Sequence, residues 1–111
     1  MNAPITTHIL DTSAGEPAAG VNVRLSRDET SDIIATGVTN TDGRVDNWSQ
    51  TFELESGNYT LSFDVNDYFT SRGELSFYST IQISFKIASR DQHYHVPLLL
   101  NPFGYSTYRG S

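Results

Sequence analysis

A period of two in the placement of apolar residues constrains this chain more than any other feature. Val21, Val23 and Leu25 alternate with Asn22, Arg24 and Ser26, and Tyr59, Leu61 and Phe63 alternate with Thr60, Ser62 and Asp64. Ile81, Ile83, Phe85 and Ile87 repeat the pattern. Successive side chains of a strand point to opposite faces, so each run reads as a half-buried strand. Turn signals separate the runs at Ala14-Gly15-Glu16-Pro17, Thr41-Asp42-Gly43, Ser56-Gly57-Asn58 and Asn101-Pro102-Phe103-Gly104. The stretch from about Val65 to Arg72 loses the alternation and stops at Gly73, as a short helix would. These signals predict an all-β sandwich of seven or eight strands in two sheets, with one brief helix.

At 111 residues, the chain is expected to form a single domain spanning 1–111, long enough to bury a core without staples. It contains no cysteine, which removes disulfides, thiolate nucleophiles and sulfur-ligated metal from consideration. The formal net charge of -6, with seven Lys and Arg scattered along the chain, argues against a nucleic-acid surface. No apolar run reaches the ~20 residues of a membrane span. Met1-Asn2-Ala3-Pro4 lacks the basic-then-apolar layout of a signal peptide, and the chain does not close on Ser-Lys-Leu, so a soluble cytoplasmic protein is expected.

The same alternation separates chemistry from core. In the run beginning at His93, Tyr94, Val96, Leu98 and Leu100 share one face and are plainly interior, whereas His93, His95, Pro97 and Leu99 share the other. Two imidazoles followed by apolar residues on an outward face call for a second surface to cover them, and a partner subunit is the natural one. An ordinary solvated face would carry the same histidines with no function. The remaining imidazole, His8, lies in the opening strand Thr6-Thr7-His8-Ile9-Leu10-Asp11. Arg44 follows the turn Asp42-Gly43, where many arginines are simply solvated. Tyr108-Arg109-Gly110-Ser111 places an aromatic ring, a guanidinium, a glycine and a hydroxyl together, and is expected to be built into a site rather than to fray.

Taken together, Thr6-Thr7-His8-Ile9-Leu10-Asp11, Asp42-Gly43-Arg44-Val45, His93-Tyr94-His95-Val96-Pro97-Leu98-Leu99-Leu100 and Tyr105-Ser106-Thr107-Tyr108-Arg109-Gly110-Ser111 resemble the 5-hydroxyisourate hydrolases, the transthyretin-related enzymes of urate breakdown. The resemblance spans essentially the whole chain. Its specific part is the ending, since transthyretin itself shares the run of the last strand but neither the Tyr-Arg-Gly-Ser nor these histidines. The chain departs from the family at Tyr78-Ser79-Thr80, where an aromatic-proline pair is common, and at Asn101, where serine is usual.

The resemblance implies a transthyretin-like (prealbumin-like) sandwich assembled as a homotetramer, a dimer of dimers, with sites in the channel between dimers. It implies hydrolysis of 5-hydroxyisourate to 2-oxo-4-hydroxy-4-carboxy-5-ureidoimidazoline, with no metal and no organic cofactor. The catalytic positions carry over onto His8, Arg44, His95 and Ser111, and substrate binding onto Tyr108, Arg109, Gly110 and His93.

The residue types fit that chemistry on their own terms. Opening a lactam with water requires a base for the water, stabilisation of the oxyanion and a proton for the departing nitrogen. An imidazole titrates near neutral pH, so either His8 or His95 suits the base and acid roles. The Arg44 guanidinium suits the oxyanion or the carbonyl edge of a urate-like ring. Ser111 offers a hydroxyl and a carboxylate to orient a histidine or the water.

Two other readings fit parts of the pattern. His93 and His95 with His8 are spaced for a three-histidine zinc site, but that site leaves the Arg-Gly-Ser ending without a role and lacks an evident acidic supporting partner. A small-molecule carrier using the same channel is the other, although a carrier for a hydrophobic ligand would keep that wall more apolar.

Overall fold

The structure is a computed structural model that describes residues 3–45 and 47–111. Its strands are β1 (Ile5–Asp11), β2 (Glu16–Pro17), β3 (Asn22–Arg27), β4 (Asp32–Val38), β5 (Arg44–Val45), β6 (Gly57–Phe63), β7 (Ile81–Ile87), β8 (Tyr94–Asn101) and β9 (Gly104–Thr107), with one helix, α1 (Val65–Ser71), between β6 and β7. Two of these strands, β2 and β5, are two-residue pieces, so seven longer strands carry the sandwich, as the alternation predicts.

One sheet has the order β4-β3-β6-β7, antiparallel throughout. In the other, β1 pairs in parallel with β8, and β9 runs antiparallel along β8. The second edge of β1 is shared by β2 at Leu10 and Asp11 and by β5 at Thr7 and His8. The expected half-buried runs fall on β3, β6, β7 and β8. β4 shows no clean alternation in sequence because a bulge at Ile34, between the partners of Leu25 and Ser26, breaks its period, and Ile33 and Val38 remain more than half exposed.

The core lies between the sheets. Ile5 and Ile9 of β1 and Val96, Leu98 and Leu100 of β8 face Leu25, Leu61, Phe63 and Ile83 from the other sheet. Trp48 closes one end, its Nε1 donating to the Ile5 carbonyl at 2.8 Å. The helix buries Val65, Tyr68 and Phe69, and ends with Gly73 and Glu74 donating to the Thr70 and Phe69 carbonyls.

One core position of β1 is a carboxylate. Asp11 is fully buried, and an ionised group is tolerated there only if its lone pairs are filled. Its Oδ1 accepts from Ser13 N and Ala14 N at 3.1 Å and from Ser13 Oγ at 2.6 Å, and its Oδ2 accepts from the Tyr68 hydroxyl at 2.8 Å. Burial alone would raise the Asp11 pKa; the hydrogen bonds from Ser13, Tyr68 and Ala14 outweigh it and hold the carboxyl below its usual range. The same contacts bind the helix to β1 and shape the turn that follows it.

Because Asp11 is ionised more readily folded than unfolded, its stabilisation is present above the ordinary carboxyl pKa and is lost as pH falls through the lowered folded value. Asp11→Asn is therefore expected to cost about 1–3 kcal/mol at neutral pH. In thermal denaturation, the gap between variant and parent should close below about pH 4; a gap that stayed constant in acid would contradict this account.

Candidate active site

The parallel register of β1 and β8 builds the site. Thr6 lies opposite His95 and His8 opposite Pro97, while on the other edge of β1, His8 lies opposite Arg44. The pleat sends Ile5, Thr7 and Ile9 inward and leaves Thr6 and His8 on the outer face, with His95 and His93 beside them. Three segments far apart in sequence thus deliver imidazoles and a guanidinium to one outward surface.

Arg44 is presented by a tight turn. Asn40 Oδ1 accepts from Asp42 N at 2.9 Å and Arg44 N at 3.0 Å, and Gly43 donates to the Asn40 carbonyl at 2.9 Å. Gly43 has φ +75° and its carbonyl oxygen accepts from Ile9 N–H at 2.7 Å; a Cβ there would strike the Ile9 carbonyl oxygen. Asn40 is a residue that sequence reasoning passed over, although an Asn two residues before an Asp-Gly pair is a recognisable turn signal.

Thr6 was missed as well, and it is central. Its Oγ1 lies 2.8 Å from His95 Nδ1 and 3.0 Å from His93 Nε2. In sequence it reads as a common strand former; only its phase with His8 hints that it shares the outer face.

The closing residues divide. Gly110 pairs with His95, its N–H donating to the His95 carbonyl at 2.8 Å. A Cβ on Gly110 would stand 2.5 Å from His95 Cδ2 and 3.2 Å from Pro97 Cγ, so the backbone lies directly against the imidazole and helps bury Pro97. Part of the cover expected from a partner is therefore supplied by the chain's own tip. Arg109 lies at the border of the cluster: it donates to Gln92 Oε1 at 2.9 Å and to the His93 carbonyl at 3.4 Å, and its guanidinium lies over the Tyr94 ring, 4.6 Å from the centroid. Tyr108 and Ser111 are exposed.

Two of the imidazoles, His8 and His95, are held below their ordinary pKa. Burial holds His8 below the ordinary value of 6.5, and the Arg44 charge adds to this, with the Asp42 carbonyl and carboxylate pulling the other way. His95 is lowered first by burial and then by Arg44, His8 and His93, against an opposing contribution from the Thr6 carbonyl. A neutral imidazole has a free lone pair, the state a base requires.

A groove of about 740 Å³ lies elsewhere, lined by Pro4, Trp48, Phe52, Leu54 and Arg90, and contains none of these groups. Thr6 stands between His93 and His95, and among the described residues no three His, Asp or Glu side chains are arranged to hold a metal. No helix among the described residues is long and apolar enough to cross a membrane.

Two facing sheets in this strand order define a transthyretin-like β-sandwich, here with an imidazole–guanidinium cluster on the outer face of one sheet. Sea bream transthyretin, solved in complex with thyroxine, superposes with a TM-score of 0.89 at 32% identity, covering 97% of this chain and 95% of that one. The chain belongs to the HIUase/Transthyretin family, whose model matches residues 5–110. The 5-hydroxyisourate hydrolase of Mus musculus is 43% identical over 99% of this chain and 97% of its own length. The structure of Klebsiella pneumoniae 5-hydroxyisourate hydrolase superposes with a TM-score of 0.85 at 42% identity, covering 96% of this chain and 92% of that one.

In an NMR titration, His8 and His95 are expected to titrate below 6.5. Arg44→Gln should move both upward, because it removes a positive charge that opposes their protonation while leaving burial in place. Titrations unmoved by Arg44→Gln would mean that the guanidinium does not face the imidazoles.

Proposed function

We infer that this chain hydrolyses 5-hydroxyisourate to 2-oxo-4-hydroxy-4-carboxy-5-ureidoimidazoline in purine catabolism. The observation that carries this is full-length likeness to proteins named for that activity, through a family match that takes in His8, Arg44, His93, His95 and Gly110.

We propose the following roles. A neutral imidazole, His8 or His95, removes a proton from water as its oxygen attacks the lactam carbonyl. Arg44 donates to the oxygen on which negative charge develops. The carbon–nitrogen bond then breaks, and the imidazolium returns its proton to the departing nitrogen. Water and substrate balance this sequence with no organic cofactor, and the carboxylic acid formed ionises at neutral pH. Ser111 orients the water or a histidine, and Tyr108, Arg109, Gly110 and His93 bind the ring. Lowered imidazole pKa values support the base role, and the outward His8–Arg44 pairing supports a polar substrate.

A homotetramer, a dimer of dimers, completes the proposal. Support comes from the exposure of Arg44 and His93 and from Leu10 and Leu99 on the same outer face, which a second subunit would cover while excluding water from the chemistry. A cytoplasmic setting suits a step of metabolism. The likeness to a transthyretin solved with thyroxine keeps carriage as the second reading.

Ultraviolet decay of freshly generated 5-hydroxyisourate tests the function directly: acceleration over the spontaneous rate is expected, and none would favour carriage. His8→Ala, Arg44→Ala and His95→Ala should each lose about 10²–10⁴-fold while remaining folded. Near-parental rates in all three would overturn the assigned roles. Light scattering should report a tetramer, and dilution to monomers should abolish activity; a fully active monomer would refute the intersubunit site.

A further inference from the structure

Lactam hydrolysis needs one imidazole with a bare nitrogen aimed at water, and an imidazole offers that nitrogen reliably only if its other nitrogen is held protonated. The hydroxyl of Thr6 stands at the nitrogen of His95 that is not needed for the reaction, and it touches a second imidazole at the same time.

Thr6 Oγ1 is 2.8 Å from His95 Nδ1 and 3.0 Å from His93 Nε2. A hydroxyl carries one proton and two lone pairs. It can satisfy at most one bare nitrogen, so at least one of the two facing nitrogens must carry a proton. The two imidazoles are not equivalent: His95 is half-buried and lies against Gly110, whereas His93 is exposed and can exchange protons with solvent. The Thr6 carbonyl also favours a proton on the His95 ring.

We propose that Thr6 is a positioning residue: His95 donates from Nδ1 to Thr6 Oγ1, Thr6 donates to His93 Nε2, and His95 Nε2 is thereby left bare as the proton acceptor. This rests on the hydrolase reading and sharpens it, because it selects His95 and one of its atoms for the base. It also gives His93 a task. Once the imidazolium has returned the first proton to the departing nitrogen, His95 Nε2 can take the proton of the new carboxyl; the Nδ1 proton then passes to Thr6 Oγ1 as the Thr6 proton passes to His93 Nε2, so that no atom is created or lost and the charge moves to the exposed ring. Hydrolysis yields a carboxylate and one proton at neutral pH, and this chain of three groups gives that proton a route outward. β1 and β8 hold the geometry, since Thr6 and His95 are register partners in the parallel pair.

Long-range proton–nitrogen NMR on the uniformly labelled protein reads the tautomers without substrate, so it can fail separately from the hydrolase assignment. Near neutral pH, His95 should show a protonated Nδ1 and a bare Nε2; a protonated Nε2 in neutral His95 would overturn the proposal. Thr6→Val removes the hydroxyl at nearly constant shape. It should mix the His95 tautomers and lower kcat by about 10²-fold with little change in KM, and Thr6→Ser should restore both the tautomer and the rate. Should Thr6→Val not fold, Thr6→Ser and His93→Phe carry the test. Removal of the His93 acceptor should lower kcat while the His95 tautomer is retained, and unchanged kcat in His93→Phe, or Thr6→Val with parental tautomer and kcat, would each refute the role.

Discussion

The parallel pairing of β1 with β8 is the constraint on which the rest of the molecule depends. Seven register partners run from Ile5 with Tyr94 to Asp11 with Leu100. On the inner face they stack Ile5, Ile9, Leu98 and Leu100 into the core, and Thr7 Oγ1 ties the strands by donating to the Val96 carbonyl at 2.6 Å. On the outer face the same register sets Thr6 against His95. A slip of one residue in either strand would turn that strand's outer side chains inward and its core side chains to water. Core and site are therefore two faces of a single alignment, and selection for packing also preserves the chemistry.

Charge on this alignment is organised against the average. The chain carries a net -6, yet the outer face gathers Arg44, His8, His93 and His95, and His8 and His95 resist protonation there, first because they are partly buried and then because of the Arg44 charge. Acidity is handled at the other end of β1, where Asp11 is buried and fully hydrogen-bonded. One strand thus begins beside bases kept neutral and ends on an acid kept ionised, each condition set by local partners rather than by net charge.

The fold was legible wherever one face of a strand meets the core. β3, β6, β7 and β8 declare themselves by alternation, and Gly73 marks the end of the helix. β4 does not, because a bulge at Ile34 breaks its period and Ile33 and Val38 stay exposed. The imidazoles and Arg44 could be named from their motifs, and the outward direction of His95 from its phase. Thr6 could not be singled out, since its importance comes from a parallel partner 89 residues away, and pairing of that range leaves no local mark. The direction of Arg109 toward Gln92 and Tyr94 was equally hidden, because it depends on where a tip lies after leaving its strand.

The distance along the chain between β1 and β8 also has a consequence for biosynthesis. A ribosome adds about 5–20 residues per second, so the 89 residues from Thr6 to His95 take roughly 4–18 s to appear. During that interval, the β4-β3-β6-β7 sheet can be completed, while β1 waits with one edge unpaired and its inner face without the Leu98 and Leu100 that will cover it. An unpaired edge beside exposed apolar residues is a template for wrong partners. The nascent chain is thus most vulnerable to aggregation in the window before β8 emerges, and crowded translation of this protein would favour shielding of its first strand.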